Sequence, residues 1–144
     1  MELASAVHED VYVKVATWMR EVYGEAVSFD ESRPVLGLGF GSARVEVRVE
    51  AWGADDAVIR ARSVVVRDAR VDAELMRFLL RANDDCLFGA FGLEENGSVV
   101  FQHTIVGSTC NPPELRSTVM GVLSAADRFD DEIVGKWGGK RAVD

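Results

Sequence analysis

The chain has 144 residues, of which 48% are hydrophobic and 28% are charged, and its formal net charge is −8. A chain of this length can bury enough apolar surface to fold without a disulfide or a metal ion, so we expect one domain over residues 1–144, with a loose tail at about 140–144. The acidic balance argues against nucleic acids and membranes as partners, because both attract clustered cations. The sequence has no apolar stretch of ~20 residues and no signal peptide, which predicts a cytoplasmic protein.

The N-terminal segment from Leu3 to Tyr23 has the apolar periodicity of an amphipathic helix. Apolar residues recur at steps of three and four, and the predicted buried stripe consists of Leu3, Val7, Val11, Val15, Trp18 and Val22. Gly24 is a suitable C-terminal stop, because glycine adopts the left-handed conformation at little cost.

Three strands are predicted after this helix. Val35–Phe40 is a short apolar run, Ala43–Trp52 alternates apolar and charged residues, and Val58–Val66 is a third apolar segment. The alternation indicates a strand with one buried and one solvated face. The Gly-x-Gly-x-Gly run at 37–41 lacks the following helix that a dinucleotide fingerprint requires, so we interpret it as a glycine-bearing strand that bends or lets another element approach closely.

The second and third strands can be aligned by their apolar faces across the turn at Gly53–Asp56. This alignment pairs Ala51 with Ile59 and, on the polar face, Trp52 with Val58. A slip by one residue would bury arginines, so we expect this register.

The second half of the chain is predicted to contain two helices and a hairpin. Asp72 is a favourable N-cap for a helix that runs to about Asn83, and the Asn96-Gly97 turn favours a hairpin. The remaining predicted ranges are Leu87–Leu93 and Ser98–Val106 for the hairpin strands and Asn111–Trp137 for the last helix with its cap. The order is helix, three strands, helix, two strands, helix, which indicates a two-layer α+β fold.

The residue types that usually carry chemistry do not form a recognisable catalytic, metal or cofactor site. His8 and His103 lack a second ligand at a defined spacing, so packed core histidines are favoured over metal ligands. Cys86 and Cys110 are expected to be free thiols, although their positions at one end of the hairpin also allow a bridge. Four carboxylates at positions 127 and 130–132 match no calcium loop and are interpreted as solvated charges. We therefore expect a protein that is not an enzyme.

The element order, together with several short motifs, resembles the type III secretion chaperone fold and most closely the YbjN-type family of small bacterial proteins. The motifs are Leu79–Asn83, Phe88–Leu93, Asn96–Val100, Glu114-Leu115, Ala125–Asp127 and Gly138-Gly139. The resemblance implies an antiparallel sheet backed by helices, a tendency to dimerise, and partner polypeptides as ligands. It carries over no functional residue, because the family pattern offers none.

Two functions are consistent with these observations. The leading hypothesis is a non-enzymatic protein-binding module, chaperone-like or an adaptor, that acts as a homodimer and binds an unidentified protein or peptide. The alternative is a regulatory domain that binds a small ligand between helix and sheet, where the glycine-rich strands at 37–41 and 89–92 could leave a cavity.

The candidate partner-binding residues are Trp52 and Val58, which are predicted to face each other on the polar side of the sheet. The charged residues that share this side are Glu46, Arg48, Glu50, Arg60 and Arg62. An aromatic anchor ringed by charge is typical of a binding hot spot, whereas a tryptophan covered by neighbouring arginine stems would have no partner. The sequence leaves both interpretations open.

Overall fold

The computed structural model describes residues 1–143 and contains the predicted order of helices and strands. The elements are α1 (Ala6–Tyr23), a 3₁₀ turn (Gly24–Ala26), β1 (Ser28–Phe29), β2 (Val35–Phe40), β3 (Ala43–Trp52), β4 (Asp56–Arg67), α2 (Ala73–Asp85), β5 (Ala90–Leu93), β6 (Val99–Val106), α3 (Pro112–Trp137) and β7 (Lys140–Arg141). The two-residue strands β1 and β7 are too short to show a periodicity in the sequence.

The strands form an antiparallel sheet in the order β1-β2-β3-β4-β6-β5, and β7 pairs with β4. Lys140 and Arg141, which were expected in a loose tail, pair with Arg67 and Val66. The reason is that the ladder between β3 and β4 ends at Arg62, so the last residues of β4 have backbone groups that need another partner. The chain therefore stays attached to the sheet through residue 141.

The register between β3 and β4 differs from the predicted one. Ile59 pairs with Val49 instead of Ala51, and Trp52 pairs with Asp56. The β4 strand is thus displaced by two residues relative to the alignment that the apolar pattern suggested.

A short loop causes this displacement. Gly53–Asp55 closes the hairpin in three residues, and Gly53 has a φ of 65°, which suits the left-handed position of such a loop. A shift by two residues keeps every side chain on its predicted face. Trp52 and Val58 therefore share the polar face, but they are diagonal neighbours and not a directly opposed pair.

The helices pack on the apolar face of the sheet and form one hydrophobic core with it. From α1 the core receives His8, Val11, Val15 and Met19, whereas Val22 of the predicted stripe is exposed. The buried face of α1 is thus rotated relative to the predicted stripe and includes His8. The His8 ring lies against β3, where Nε2 is 2.7 Å from the Val49 carbonyl oxygen. The other ring nitrogen accepts a hydrogen bond from a backbone N–H, so Nε2 is the donor to Val49.

The segment after α2 is a loop at the position where the sequence predicted the start of a strand. Leu87 and Phe88 are 91% and 73% exposed, and the strand β5 begins only at Ala90. Gly89 has a φ of 78°, and a Cβ there would lie 2.7 Å from the ring of Phe101, so the chain turns sharply at this glycine. The apolar run at 87–93 is consequently divided between an exposed loop and a strand.

The outer edge of β5 is blocked by a side chain of α2. The amide nitrogen of Asn83 donates to the Phe91 carbonyl at 3.2 Å, and the Phe91 N–H donates to the Asn83 carbonyl at 2.6 Å. One amide side chain thus occupies both outward-facing backbone groups of Phe91, the second of the four residues of β5. An unpaired strand edge is a template for pairing with another chain, and this contact removes part of that template.

The two later helices begin at the predicted caps. A hydrogen bond connects the N-terminus of α2 to the C-terminus of α3. Asp72 accepts the Leu75 N–H at 2.9 Å, and the same oxygen accepts the Trp137 indole N–H at 3.1 Å. Asn111 caps α3 by accepting the Glu114 N–H. None of the helices that the structure describes is both long enough and apolar enough to cross a lipid bilayer.

One of the carboxylates predicted to be solvated lies in the core. Asp130 on α3 is 1% exposed, and its Oδ2 contacts the Ser42 hydroxyl of the turn between β2 and β3. Asp127 accepts both the Ser42 N–H and its hydroxyl group. The cluster of acidic residues is therefore divided, because 127 and 130 fix this turn to the helix while positions 131 and 132 are exposed.

Candidate functional site

The face of the sheet opposite the helices, which we call the open face, is built from the alternate positions of the strands. Its side chains are mostly charged or partly buried, whereas the residues between them belong to the core. On the central strands β3 and β4 the open-face residues are Arg44, Glu46, Arg48, Glu50, Trp52, Asp56, Val58, Arg60, Arg62 and Val64. On these two strands, the core positions alternate with the open-face positions, and the helices contact the core side of the sheet.

The two candidate binding residues lie at one end of the open face. Trp52 is 57% exposed at the end of β3, and Val58 is partly buried on β4. Val58 pairs with Val106 of β6, which is also exposed, so these three side chains form an apolar end of the open face. The arginine stems that could have covered the tryptophan leave more than half of it accessible.

Ion pairs occupy the middle of the open face. Arg60 pairs with Glu50 at 3.2 Å, and Arg62 pairs with Glu94 at 3.0 Å. Arg48 contacts Glu46 on its own strand. Since Arg48 stands directly opposite Arg60, their carboxylate partners also offset the repulsion between these two like charges.

A groove of about 690 Å³ lies at the other end of the open face, away from Trp52. Its lining includes five arginines and two carboxylates, namely Arg33, Arg44, Arg48, Arg62, Arg67, Asp30 and Glu46. Gly37 and Gly39 of β2 line it as well, which leaves backbone without side chains along one wall. Gly37 and Gly39 therefore open a groove on the open face and do not face the helices, whereas Gly41 lies beside Asp127 of α3.

The rim of this groove is fixed by Asp30. Its carboxylate accepts hydrogen bonds from the hydroxyl and N–H of Ser32 and from the guanidinium of Arg33. The Ser32 hydroxyl is the main cause that lowers the pKa of Asp30 well below its ordinary value, with further contributions from the Ser32 N–H and from Arg33. Asp30 is thus an anion that holds one of the groove arginines in place.

A second cavity, of about 530 Å³, lies between β6 and α3. Its lining is largely apolar and includes Phe88, Phe101, Ile105 and Val122, together with His103. The His103 ring lies 5.7 Å from the ring of Phe88, centroid to centroid. A cavity between helix and sheet is thus present, but the glycine that lines it is Gly121 of α3 and not one of the strand glycines.

An exposed apolar surface, which we call the α2 surface, covers the outer side of α2 and the loop after it. It consists of Met76 and Leu80, one helical turn apart, and of Leu87 and Phe88. The side chains of Leu80, Leu87 and Phe88 are all more than two-thirds exposed. The sequence did not predict this surface, because the apolar run at 87–93 was assigned to a strand and not to an exposed loop.

The remaining reactive groups are separate from one another. Both cysteines are free; Cys110 is buried and Cys86 is partly exposed. Burial raises the pKa of the Cys110 thiol to about 11, and Glu114 contributes in the same direction. Within residues 1–143, no group of three or more His, Cys, Asp and Glu side chains is arranged to hold a metal ion.

Comparison with known proteins connects this architecture to one family. The sequence matches a family model over residues 9–144, and that family is described as T3SS (YopN, CesT) and YbjN peptide-binding chaperone 1. No curated protein is significantly similar to the chain in sequence.

Two solved structures share the fold. A chain of the ExsC–ExsE complex superposes with a TM-score of 0.65 at 17% identity, and the match covers 90% of this chain and 96% of that chain. A chain of the HopA1–SchA chaperone–effector complex gives a TM-score of 0.64 at 10% identity, with 85% and 96% covered. Because the family model spans nearly the whole sequence, the chain belongs to the family of T3SS and YbjN peptide-binding chaperones, as its motifs and element order predicted.

Proposed function

We propose that this protein is a peptide-binding, chaperone-like module that acts as a homodimer and has no enzymatic activity. The observation that carries the proposal is the open face, a broad sheet surface with an exposed tryptophan at one end and an arginine-lined groove at the other. Membership of a peptide-binding chaperone family supports a polypeptide ligand, as does the similarity to a chain from a chaperone–effector complex.

Trp52 and Val58 are the proposed apolar anchor of this surface. A large aromatic side chain that is exposed beside aliphatic residues and ringed by charges has the composition of a binding hot spot. An extended peptide lying across the open face would bury the indole ring that solvent now contacts. The apolar contact would supply affinity, and the surrounding ion pairs would exclude water from its edge.

Peptides selected from a displayed random library provide the test. Trp52→Ala is expected to reduce the binding free energy of the selected peptides by about 2 kcal/mol or more, the usual threshold of a hot spot. Thermal unfolding should hardly change, because the side chain is mostly exposed. Val13→Ala is the matched control, since Val13 is similarly exposed but lies on α1 at the opposite side of the sheet. Equal affinity of the Trp52→Ala variant would remove the anchor, and the absence of any selected peptide would contradict the proposed function itself.

The α2 surface is the proposed interface between two copies of the chain. Three large apolar side chains exposed on adjacent segments are costly in a monomer, and a two-fold contact can bury them. The open face stays free in such a dimer, because α2 packs beside β5 at the far edge of the sheet from β1 and β2. Each copy would then present its own peptide-binding surface.

Light scattering at micromolar concentration measures the mass of the protein in solution and so distinguishes a monomer from a dimer. The wild-type chain is expected at twice 15.8 kDa, and Leu80→Glu combined with Phe88→Asp is expected to give the monomer. Val13→Asp places a charge on another exposed apolar position and should leave the dimer intact. A wild-type mass of 15.8 kDa would contradict the homodimer, and monomers from both variants would show that the contact does not depend on the α2 surface.

A second candidate function is favoured by the cavity between β6 and α3. Its volume of about 530 Å³ and its apolar lining with one histidine suit a small, mostly apolar ligand. Native mass spectrometry of the purified protein distinguishes the two functions. A bound small molecule that is lost in the Gly121→Leu variant would favour a ligand-binding regulatory domain, because Gly121 lines the cavity and has open space beside it.

A further inference from the structure

The groove at the β2 end of the open face differs in charge from the rest of the protein. The whole chain carries a formal net charge of −8, yet the groove lining contains five arginines and only two carboxylates. From this contrast we propose that the groove binds an extended acidic segment of the partner polypeptide, whose Asp or Glu carboxylates bond to Arg44 and Arg67. The inference rests on the proposed peptide-binding function and adds the chemical class of the peptide.

Two of the groove arginines have no carboxylate partner among the described residues. Arg33 is paired with Asp30 and Arg62 with Glu94. In contrast, Arg67 donates only to the backbone carbonyl of Ala142, and Arg44 contacts no acidic side chain in residues 1–143. A guanidinium group binds a carboxylate through two parallel hydrogen bonds, so these two side chains are the ones that a ligand would bind.

The glycines of β2 give a peptide access to these arginines. Gly39 stands directly opposite Arg44, and Gly37 stands opposite Glu46, so no side chain of β2 covers that part of the open face. A Cβ at Gly39 would have only one heavy atom within 4 Å, at 3.9 Å, which shows that the space beside Arg44 is empty. The backbone of an extended ligand can therefore approach the sheet closely at this position.

An acidic peptide fits this groove better than a nucleic acid does. A nucleic acid presents a continuous row of phosphates and gains affinity from clustered cations, but outside the groove this chain is strongly acidic. Beyond Arg44 and Arg67, the arginines Arg48 and Arg60 of the open face are already paired with Glu46 and Glu50 and are not available to a longer phosphate backbone. A short acidic segment that continues into uncharged residues needs no further cations.

The groove and the apolar end of the open face also define a spacing for the ligand. Arg44 and Trp52 lie eight residues apart on β3, and a strand rises about 3.3 Å per residue, which gives about 26 Å. An extended segment of about nine residues reaches from the groove to the tryptophan. The fitting ligand thus has acidic residues at one end and a large apolar residue at the other.

The test uses fluorescence anisotropy with three labelled probes. The first is a peptide of alternating Glu and Thr that ends in Phe, the second is the same peptide with Gln in place of Glu, and the third is a single-stranded oligothymidine of similar length. The Glu peptide is expected to bind at least about ten times more tightly than the Gln peptide, and added NaCl should weaken it. The Arg44→Glu substitution should reduce the affinity for the Glu peptide by a similar factor.

Two further variants complete the design. Gly39→Val fills the groove beside Arg44 without straining the backbone and should also weaken the Glu peptide. Arg116→Glu makes the same charge change on α3, on the other side of the sheet, and should leave affinity unchanged. If Gly39→Val perturbs the fold, as far-UV circular dichroism would show, the comparison of the two arginine variants still decides the matter.

The outcomes separate this inference from the function on which it rests. Equal affinity for the Glu and Gln peptides, an equal effect of Arg44→Glu and Arg116→Glu, or tighter binding of the oligonucleotide would each overturn the inference. If neither designed peptide binds but library-selected peptides do, the acidic specificity is wrong and the peptide-binding function stands. If no library peptide binds either, the proposed function fails first.

Discussion

Replacing Asn83 by alanine tests how much the blocked edge of β5 contributes to stability. The side-chain amide makes two hydrogen bonds to the backbone of Phe91, and alanine makes neither. A typical hydrogen bond contributes about 1 kcal/mol net, so the pair contributes about 2 kcal/mol. Phe91 is only 7% exposed, so its freed N–H and carbonyl also lose a partner in a buried place, and about 2 kcal/mol is the lower end of the expected cost.

Urea unfolding followed by far-UV circular dichroism measures the effect. Asn83→Ala is expected to lower the free energy of unfolding by about 2 kcal/mol or more with an unchanged dependence on urea concentration. Asn96→Ala is the control, because Asn96 makes a single bond to the Ser98 N–H in an exposed turn and should cost less than about 1 kcal/mol. A loss below about 0.5 kcal/mol for Asn83→Ala would refute the reasoning, since it would mean that β5 needs no partner at its outer edge.

Three further results are expected. A thiol reagent at pH 8 should react with Cys86 in the native protein and with Cys110 only after denaturation, because burial raises the pKa of the Cys110 thiol to about 11; two rapidly reacting thiols would contradict this. Asp72 has a lowered pKa, chiefly through the Leu75 N–H, so its contribution to stability is present above the unfolded-state pKa of about 4 and is lost as the pH falls through the folded-state value. Asp72→Asn keeps a helix cap without a titrating charge and should show a smaller fall in Tm between neutral and acidic pH than the wild type; an identical fall would exclude this carboxylate as a cause. Asp130→Asn should raise the free energy of unfolding at pH 7 by about 1 kcal/mol in urea titrations, because it replaces a buried ionisable group by a neutral amide that can donate to the Ser42 hydroxyl oxygen, whereas a loss of that size would contradict the account.

The sequence was sufficient for the parts of the fold that depend on periodicity. The alternation in β3 specified its buried face, and the caps at Asp72 and Asn111 specified where two helices begin. The pairing of Trp52 was wrong because the register depends on the loop, and glycine at 53 permits a three-residue connection that apolar matching cannot distinguish from a longer one. The face assignment survived because the displacement was an even number of residues.

The groove could not be predicted, because its arginines are scattered in the chain. Arg33 precedes β2, Arg44 is the second residue of β3, and Arg67 ends β4, so only the lateral order of the strands brings them together. Separate positions along a sequence give no periodic signal for such a cluster. Asp130 was missed for a related reason, since its burial depends on Ser42, a residue 88 positions earlier in the chain.

The hydrogen bond between Asp72 at the start of α2 and Trp137 at the end of α3 has a consequence for how this protein folds during synthesis. Asp72 can cap α2 as soon as Leu75 is available, but the indole that shares its oxygen is 65 residues further along the chain. The strands β2 to β4 and the helix α2 are therefore synthesised after α1 but before α3, which packs with α1 on the apolar face of the sheet, and contacts at such sequence separation form late in folding. During synthesis, a protein proposed to bind extended peptides passes through a stage in which its own core is the exposed apolar surface.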